Sequence, residues 1–158
     1  MVDFDLEVRF DGSTEWVRQW GEVATPDNAA YFEMRGYVNL QQGKPDPAIE
    51  DYRRAAALSP GDTKAAYMVA QLLVQSGKTD EAAEAARAVL AGNPSHARAH
   101  VILGDYYRGK EEWGKALEHY SKAALDLETR TYAEYYIDVA RSHVDNIVTP
   151  ESTAPRKP

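Results

Sequence analysis

Polar and apolar residues alternate along this chain with two different periods. Asp3-Phe4-Asp5-Leu6-Glu7-Val8-Arg9-Phe10 alternate one for one, the period of a half-buried strand, and Asp11-Gly12 follows as a turn dipeptide. A lone strand is not stable by itself, so the segment requires a hairpin, a second protomer or another protein. From Ser13 the spacing becomes helical: Trp16, Val17, Trp20 and Val23 form one apolar face over about 14–24, with Ser13 or Thr14 as cap. Paired helices are then predicted. The first covers about 29–42, capped by Asp27 or Asn28, and Gly43-Lys44 turns the chain. Asp46-Pro47 opens the second as cap and first-turn proline, and Leu58-Ser59-Pro60-Gly61 ends it. Asp62 caps the next pair, about 63–76 and 80–91, ended by Gly92-Asn93-Pro94. Ser95 caps the third, about 96–108 and 113–127, and a longer helix covers about 131–148. The tail, 149–158, holds three prolines and no apolar period, and reads as disordered.

The helical pattern repeats. Ala48, Ala82 and Ala116 stand 34 residues apart, as do Pro26, Pro60 and Pro94, and Gly36, Ala70 and Gly104; Gly43 and Gly77 keep the same step. A fixed period of this size predicts stacked supersecondary units, each burying its neighbour's apolar face. Gly36, Ala70 and Gly104 are expected to be small because the partner helix crosses them at Ala48, Ala82 and Ala116. Ala55 and Ala123 are expected where the next unit packs, with Phe32, Tyr52, Trp113 and Tyr120 filling the space between. Pro26 extends the period backwards, which makes 14–24 the second helix of an incomplete unit.

These residues resemble the tetratricopeptide repeat, a helix–turn–helix of 34 residues. Leu103-Gly104, Tyr107, Trp113, Ala116, Tyr120 and Ala123 carry its large-and-small pattern. Phe32, Gly36, Gly43, Ala48, Tyr52, Ala55 and Pro60 carry it in the first repeat, and Val69, Ala70, Gly77, Ala82, Val89 and Pro94 in the second. The resemblance implies an all-α, right-handed solenoid. Its parts are an extended or disordered segment over 1–12 and a repeat domain over 13–148, with repeats at about 29–62, 63–96 and 97–130. A preceding half-repeat helix, a capping helix at about 131–148 and the disordered tail complete it. Three departures stand out: Arg35 and Asn39 replace a leucine and an aromatic, and Glu128 stands where Pro60 and Pro94 predict proline.

Composition narrows the function. The chain is 44% apolar and 27% charged, with a net charge of −7 and a pI near 5.1, which opposes a phosphate-neutralising surface and hence nucleic acid. The absence of cysteine removes disulfides, thiolate zinc sites and thiol nucleophiles. No apolar run is long enough to span a membrane, and the acidic N-terminus lacks a signal-peptide core, so a cytoplasmic location is expected, though an exported fragment would read the same way. His96 and His100, four apart at a helix start, could chelate a metal, but no third ligand accompanies them, and packing is the expected role. His119 and His143 read as surface or packing residues. No nucleophile elbow or phosphate loop is found, so neither an enzyme nor a cofactor is expected.

The resemblance implies instead a binding wall made by the first helix of each pair. Its positions are Glu33, Met34, Tyr37 and Gln41; Lys64, Tyr67, Met68 and Gln71; Arg98, Val101, Ile102 and Asp105; and Tyr132, Tyr135, Tyr136 and Val139. This is an apolar stripe of tyrosine and methionine edged by charge, suited to a peptide or helix of a partner protein. Co-chaperone members of the family clamp a peptide's C-terminal carboxylate with lysine, asparagine and arginine. The matching positions here are Glu33, Tyr37, Met68, Arg98 and Ile102, with Arg98 the one cation among them, so that clamp is not expected. The expected function is a non-enzymatic interaction scaffold. The alternative is a dedicated chaperone of a secreted or assembled client, dimeric through residues 1–25.

Overall fold

A computed structural model describes residues 28–148 of the chain. The expectations for the strand-like segment, the half-repeat helix, the dimer contact through 1–25 and the tail lie outside the described residues. Within them the regular structure is helical: α1 (Ala29–Gln41), α2 (Pro45–Leu58), α3 (Thr63–Gln75), α4 (Thr79–Gly92), α5 (Ala97–Gly109), α6 (Trp113–Ala123) and α7 (Arg130–Val148). Each helix packs on the next in the chain, and α3 also touches α5, so the first helices are drawn together on one side of the stack.

Local chemistry sets the ends of the helices. Asn28 and Asp62 cap α1 and α3 by accepting the N–H groups of Ala30 and Lys64, each at 2.9 Å. Gly43 (φ +71°) and Gly77 (φ +72°) end those helices in the left-handed conformation. The Gly43 N–H then donates to the Leu40 carbonyl and Lys44 N–H to Asn39, a pairing repeated by Gly77 with Val74 and Lys78 with Leu73. Glu111 (φ 59°) takes the same place in the third repeat and closes α5 in the same way, onto Arg108, with Glu112 onto Tyr107.

Three expected boundaries are corrected. The left-handed turn delivers Lys44 straight into the N-cap position, so α2 begins at Pro45, and Asp46 lies in the first turn rather than capping it. His96, not Ser95, caps α5: its Nδ1 accepts the Ala99 N–H at 3.2 Å. The helix expected to reach Leu127 stops at Ala123, where Thr129 Oγ1 donates to the Ala123 carbonyl at 2.5 Å and draws the chain back into a turn. Without the proline, the link to α7 is therefore longer. Leu125 and Leu127 in it are 81% and 79% exposed.

The core consists of small residues with large ones set against them. Ala48, Ala82 and Ala116 are buried, as are Ala55 and Ala123. The contact that requires glycine is, however, with a ring. A Cβ on Gly36 would lie 3.0 Å from the Tyr52 ring, and one on Gly104 would lie 2.6 Å from that of Tyr120. The alanines expected at those crossings are buried beside these rings and do not replace them. In the second repeat Ala86 stands where the tyrosines do, and Ala70 keeps its methyl. Trp113, expected among the buried rings, is half-buried and stacks on His143 of α7 at 3.8 Å. α7 buries Ala133, Ile137 and Ala140, while Glu134, Asp138, Arg141 and Asp145 are exposed. These exposed charges give α7 a polar outward face.

Candidate functional site

The wall positions form four columns because each first helix presents the same face one period later. One column holds Met34, Met68, Ile102 and Tyr136; its neighbour holds Glu33, Tyr67, Val101 and Tyr135. Met34 (40%), Tyr37 (51%) and Tyr135 (64%) are exposed. Met68 and Ile102 are half-buried, packed on the core of the first two repeats; Val101 and Tyr136 pack on the core of the third. Tyr67 lies against the ring of His96 at 4.9 Å, and Gln71 is half-buried.

Every cation of this wall has a carboxylate. Lys64 Nζ is 3.2 Å from Glu33, and Arg98 is 2.5 Å from Glu128 in the α6–α7 link. Glu128, marked in the sequence as a missing proline, thus supplies a counter-charge that nothing in the repeat pattern predicts. At the far end Asp105 gathers donors: Tyr120 OH at 2.7 Å, Tyr132 OH at 2.8 Å and Arg108 at 3.2 Å. Arg108 also donates to Tyr120 OH at 3.1 Å and lies over the Tyr136 ring at 4.5 Å. Burial pushes the Tyr120 and Tyr132 hydroxyls well above the ordinary phenol value, and their donation to the Asp105 carboxylate raises them further. Both stay protonated donors. Asp105, Tyr132 and Tyr136 thus hold α7 against the third repeat. Met34, Tyr37 and Lys64 are exposed at the first-repeat end, as Tyr132 and Tyr135 are at the other.

The departures in the first repeat also acquire a reason. Asp51, 3% exposed, accepts from Arg35 Nε at 3.0 Å and from Asn39 Nδ2 at 2.8 Å, and forms an ion pair with the Arg35 guanidinium. In the sequence Asp51 resembles any helix-surface acid. The histidines pair differently from the expected spacing. His100 meets His119, their Nδ1 atoms 2.9 Å apart, while His96 serves as cap. Among the described residues no group of three or more metal-ligating side chains forms, and no helix is long and apolar enough to cross a membrane.

A tetratricopeptide repeat family model matches residues 17–63 and 67–131. The "Protein CTR9 homolog" of Arabidopsis thaliana is 29% identical over 105 residues, which is 64% of this chain but 10% of that protein, so the chain spans about a tenth of this relative's length. The first tetratricopeptide repeat domain of Spaghetti (RPAP3), bound to the HSP90 peptide SRMEEVD, superposes with a TM-score of 0.63 at 18% identity, over 74% of this chain and 95% of that one. YrrB, a tetratricopeptide repeat protein described as having an unusual peptide-binding site, superposes with a TM-score of 0.58 at 32% identity, over 68% of this chain and 56% of the other.

Proposed function

The chain belongs to the tetratricopeptide repeat family, and from that premise we propose that it is a non-enzymatic scaffold holding an apolar segment of a partner protein. That segment would lie across the wall built by α1, α3, α5 and α7. The observation that carries this is the column Met34, Met68, Ile102 and Tyr136 beside Tyr67 and Tyr135: a continuous apolar stripe whose flanking cations are already neutralised. Methionine adapts to varied side chains and tyrosine offers a rigid face with a polar tip, which suits a wall that takes an extended segment or one face of a helix.

The charge arrangement sets the class of segment. RPAP3 binds an acidic peptide, whereas here Arg98 is committed to Glu128 and Lys64 to Glu33, so a terminal carboxylate would have to displace an internal ion pair. An internal, uncharged stretch meets no such cost. Exposed Met34 and Tyr37 at one end and Tyr132 and Tyr135 at the other give it apolar surface along the length of the wall.

A photo-crosslinking residue placed at Tyr37, at Tyr67 and, on the opposite face, at Glu84 tests the reading. Adducts from the first two but not the third, mapping to one apolar segment, are expected. A synthetic peptide of that segment should then bind Tyr67→Ala/Met68→Ala at least about tenfold more weakly than wild type, the loss of two contact side chains at an interface centre. Equal affinity removes the wall from the site.

A further inference from the structure

Three imidazoles meet where the third repeat begins. His96 caps α5 through an accepting Nδ1. One turn later His100, 3% exposed, bridges two elements: Nε2 lies 3.0 Å from the Pro94 carbonyl oxygen and Nδ1 2.9 Å from Nδ1 of His119 on α6. A carbonyl oxygen only accepts, so His100 carries its hydrogen on Nε2. Its Nδ1 is then the acceptor, and His119 donates from Nδ1. Tyr107 stacks on His119 at 5.5 Å, and Tyr67 of α3 packs on His96. One period earlier the two places are Ala66 and Ala85, and two periods earlier Phe32 and Asp51. The third repeat alone of the three closes its helix pair through two imidazoles, of which His100 must keep its Nδ1 as an acceptor.

We propose that His100 and His119 form an acid-sensitive latch between α5 and α6 that is closed near neutral pH and released in weak acid. The first added proton falls on Nε2 of His119 and leaves the bridge in place, but sets a charge between packed helices; a second has no place, because both Nδ1 atoms would then donate. The surroundings reinforce this. Arg87 approaches from α4, Lys122 lies on α6, and Lys115 reaches over the Tyr107 ring. Glu118, the opposing carboxylate, is tied to Lys122 at 2.7 Å. Burial first, then the neighbouring His100 ring, holds His119 down at about 4; burial also lowers His100 from its ordinary value. A base with a depressed folded-state pKa favours the folded chain only while neutral. The latch's contribution is therefore whole above about pH 6.5 and is lost as pH falls toward 4. α5 also carries Arg98, Val101, Ile102 and Asp105, so release would disrupt that stretch of the wall; the latch itself does not depend on the wall's being a binding site.

Urea unfolding of wild type and of His100→Phe/His119→Ala, a pair borrowed from Phe32 and Ala85 of the earlier repeats, tests the latch. Between pH 7.5 and 5 the wild-type unfolding constant should rise by up to roughly 30-fold more than the variant's, the ratio set by imidazole values of 6.5 and about 4. Parallel profiles, within about twofold, overturn the proposal, since a purely structural pair would shift stability equally at every pH. Should the variant fail to fold, imidazole NMR of the wild type decides. His100 and His119 resonances should keep their neutral-form shifts down to about pH 5, and titration of both near 6.5 overturns the latch.

Discussion

The first and third repeats solve one packing problem in opposite ways. The place on the second helix that Asp51 occupies in the first repeat is His119 in the third, and the facing place on the first helix changes from Phe32 to His100. Asp51 is held by the Arg35 guanidinium and the Asn39 amide, donors that keep their hydrogens at any pH near neutrality, whereas His119 is held by the His100 imidazole, whose accepting nitrogen can itself take a proton. The second repeat, with Ala85 facing Ala66, Val69 and Leu73, needs no polar partner there. A polar group can therefore occupy the interior of a repeat provided the neighbouring helix delivers its partner, and the nature of that partner decides which conditions the repeat survives.

The largest effect is expected from Asp51→Ala. It leaves the Arg35 guanidinium without its counter-ion, and because Arg35 keeps about a third of its exposure the cost should be about 2 kcal/mol, below that of a fully buried broken pair. The triple change Arg35→Val/Asn39→Leu/Asp51→Ala, which writes the second repeat's residues into the first, should recover most of that in urea unfolding. If the triple variant is no more stable than the single one, the two repeats are not interchangeable at this place.

Next comes Gly104→Ala. Its new methyl would meet the Tyr120 ring at 2.6 Å, and that ring is fully buried with its hydroxyl fixed by Asp105 and Arg108. A loss of about 1.5 kcal/mol is expected. Gly36→Ala meets Tyr52 at 3.0 Å, where no such network fixes the hydroxyl, and should cost about half as much. Equal losses in thermal unfolding would show that the tyrosine network does not stiffen the third repeat.

The smallest effect reverses sign between the repeats. Glu111 holds a left-handed backbone that Gly43 and Gly77 adopt without strain. Glu111→Gly should gain about 0.5 kcal/mol, and Gly77→Ala should lose about 1 kcal/mol, both read from denaturation midpoints. A destabilised Glu111→Gly would mean that the side chain contributes more than its backbone costs.

How far the sequence could be read depended on the range of the interaction. The alanines, the glycine turns and the prolines after α2 and α4 reflect steric rules that act within one turn or one helix crossing, and they recur with the period. Asp51, Glu128 and Asp105 could not be read in this way. An acid on a helix looks the same whether it faces water or an arginine sixteen residues away, and neither Arg98 nor Tyr132 marks its partner in the pattern. His100 was legible as a packing residue, but not that its partner would be His119 rather than His96.

By itself, then, the sequence determined the period, the helix pairs and which faces they bury, because apolar spacing and small residues at crossings are local and repeat without reference to the rest of the chain. Only the tertiary structure decided where α6 ends, which ring covers each glycine, and how the wall's charges are matched. Those outcomes depend on side chains from different helices arriving at one point, and a linear pattern carries no record of which atoms will meet.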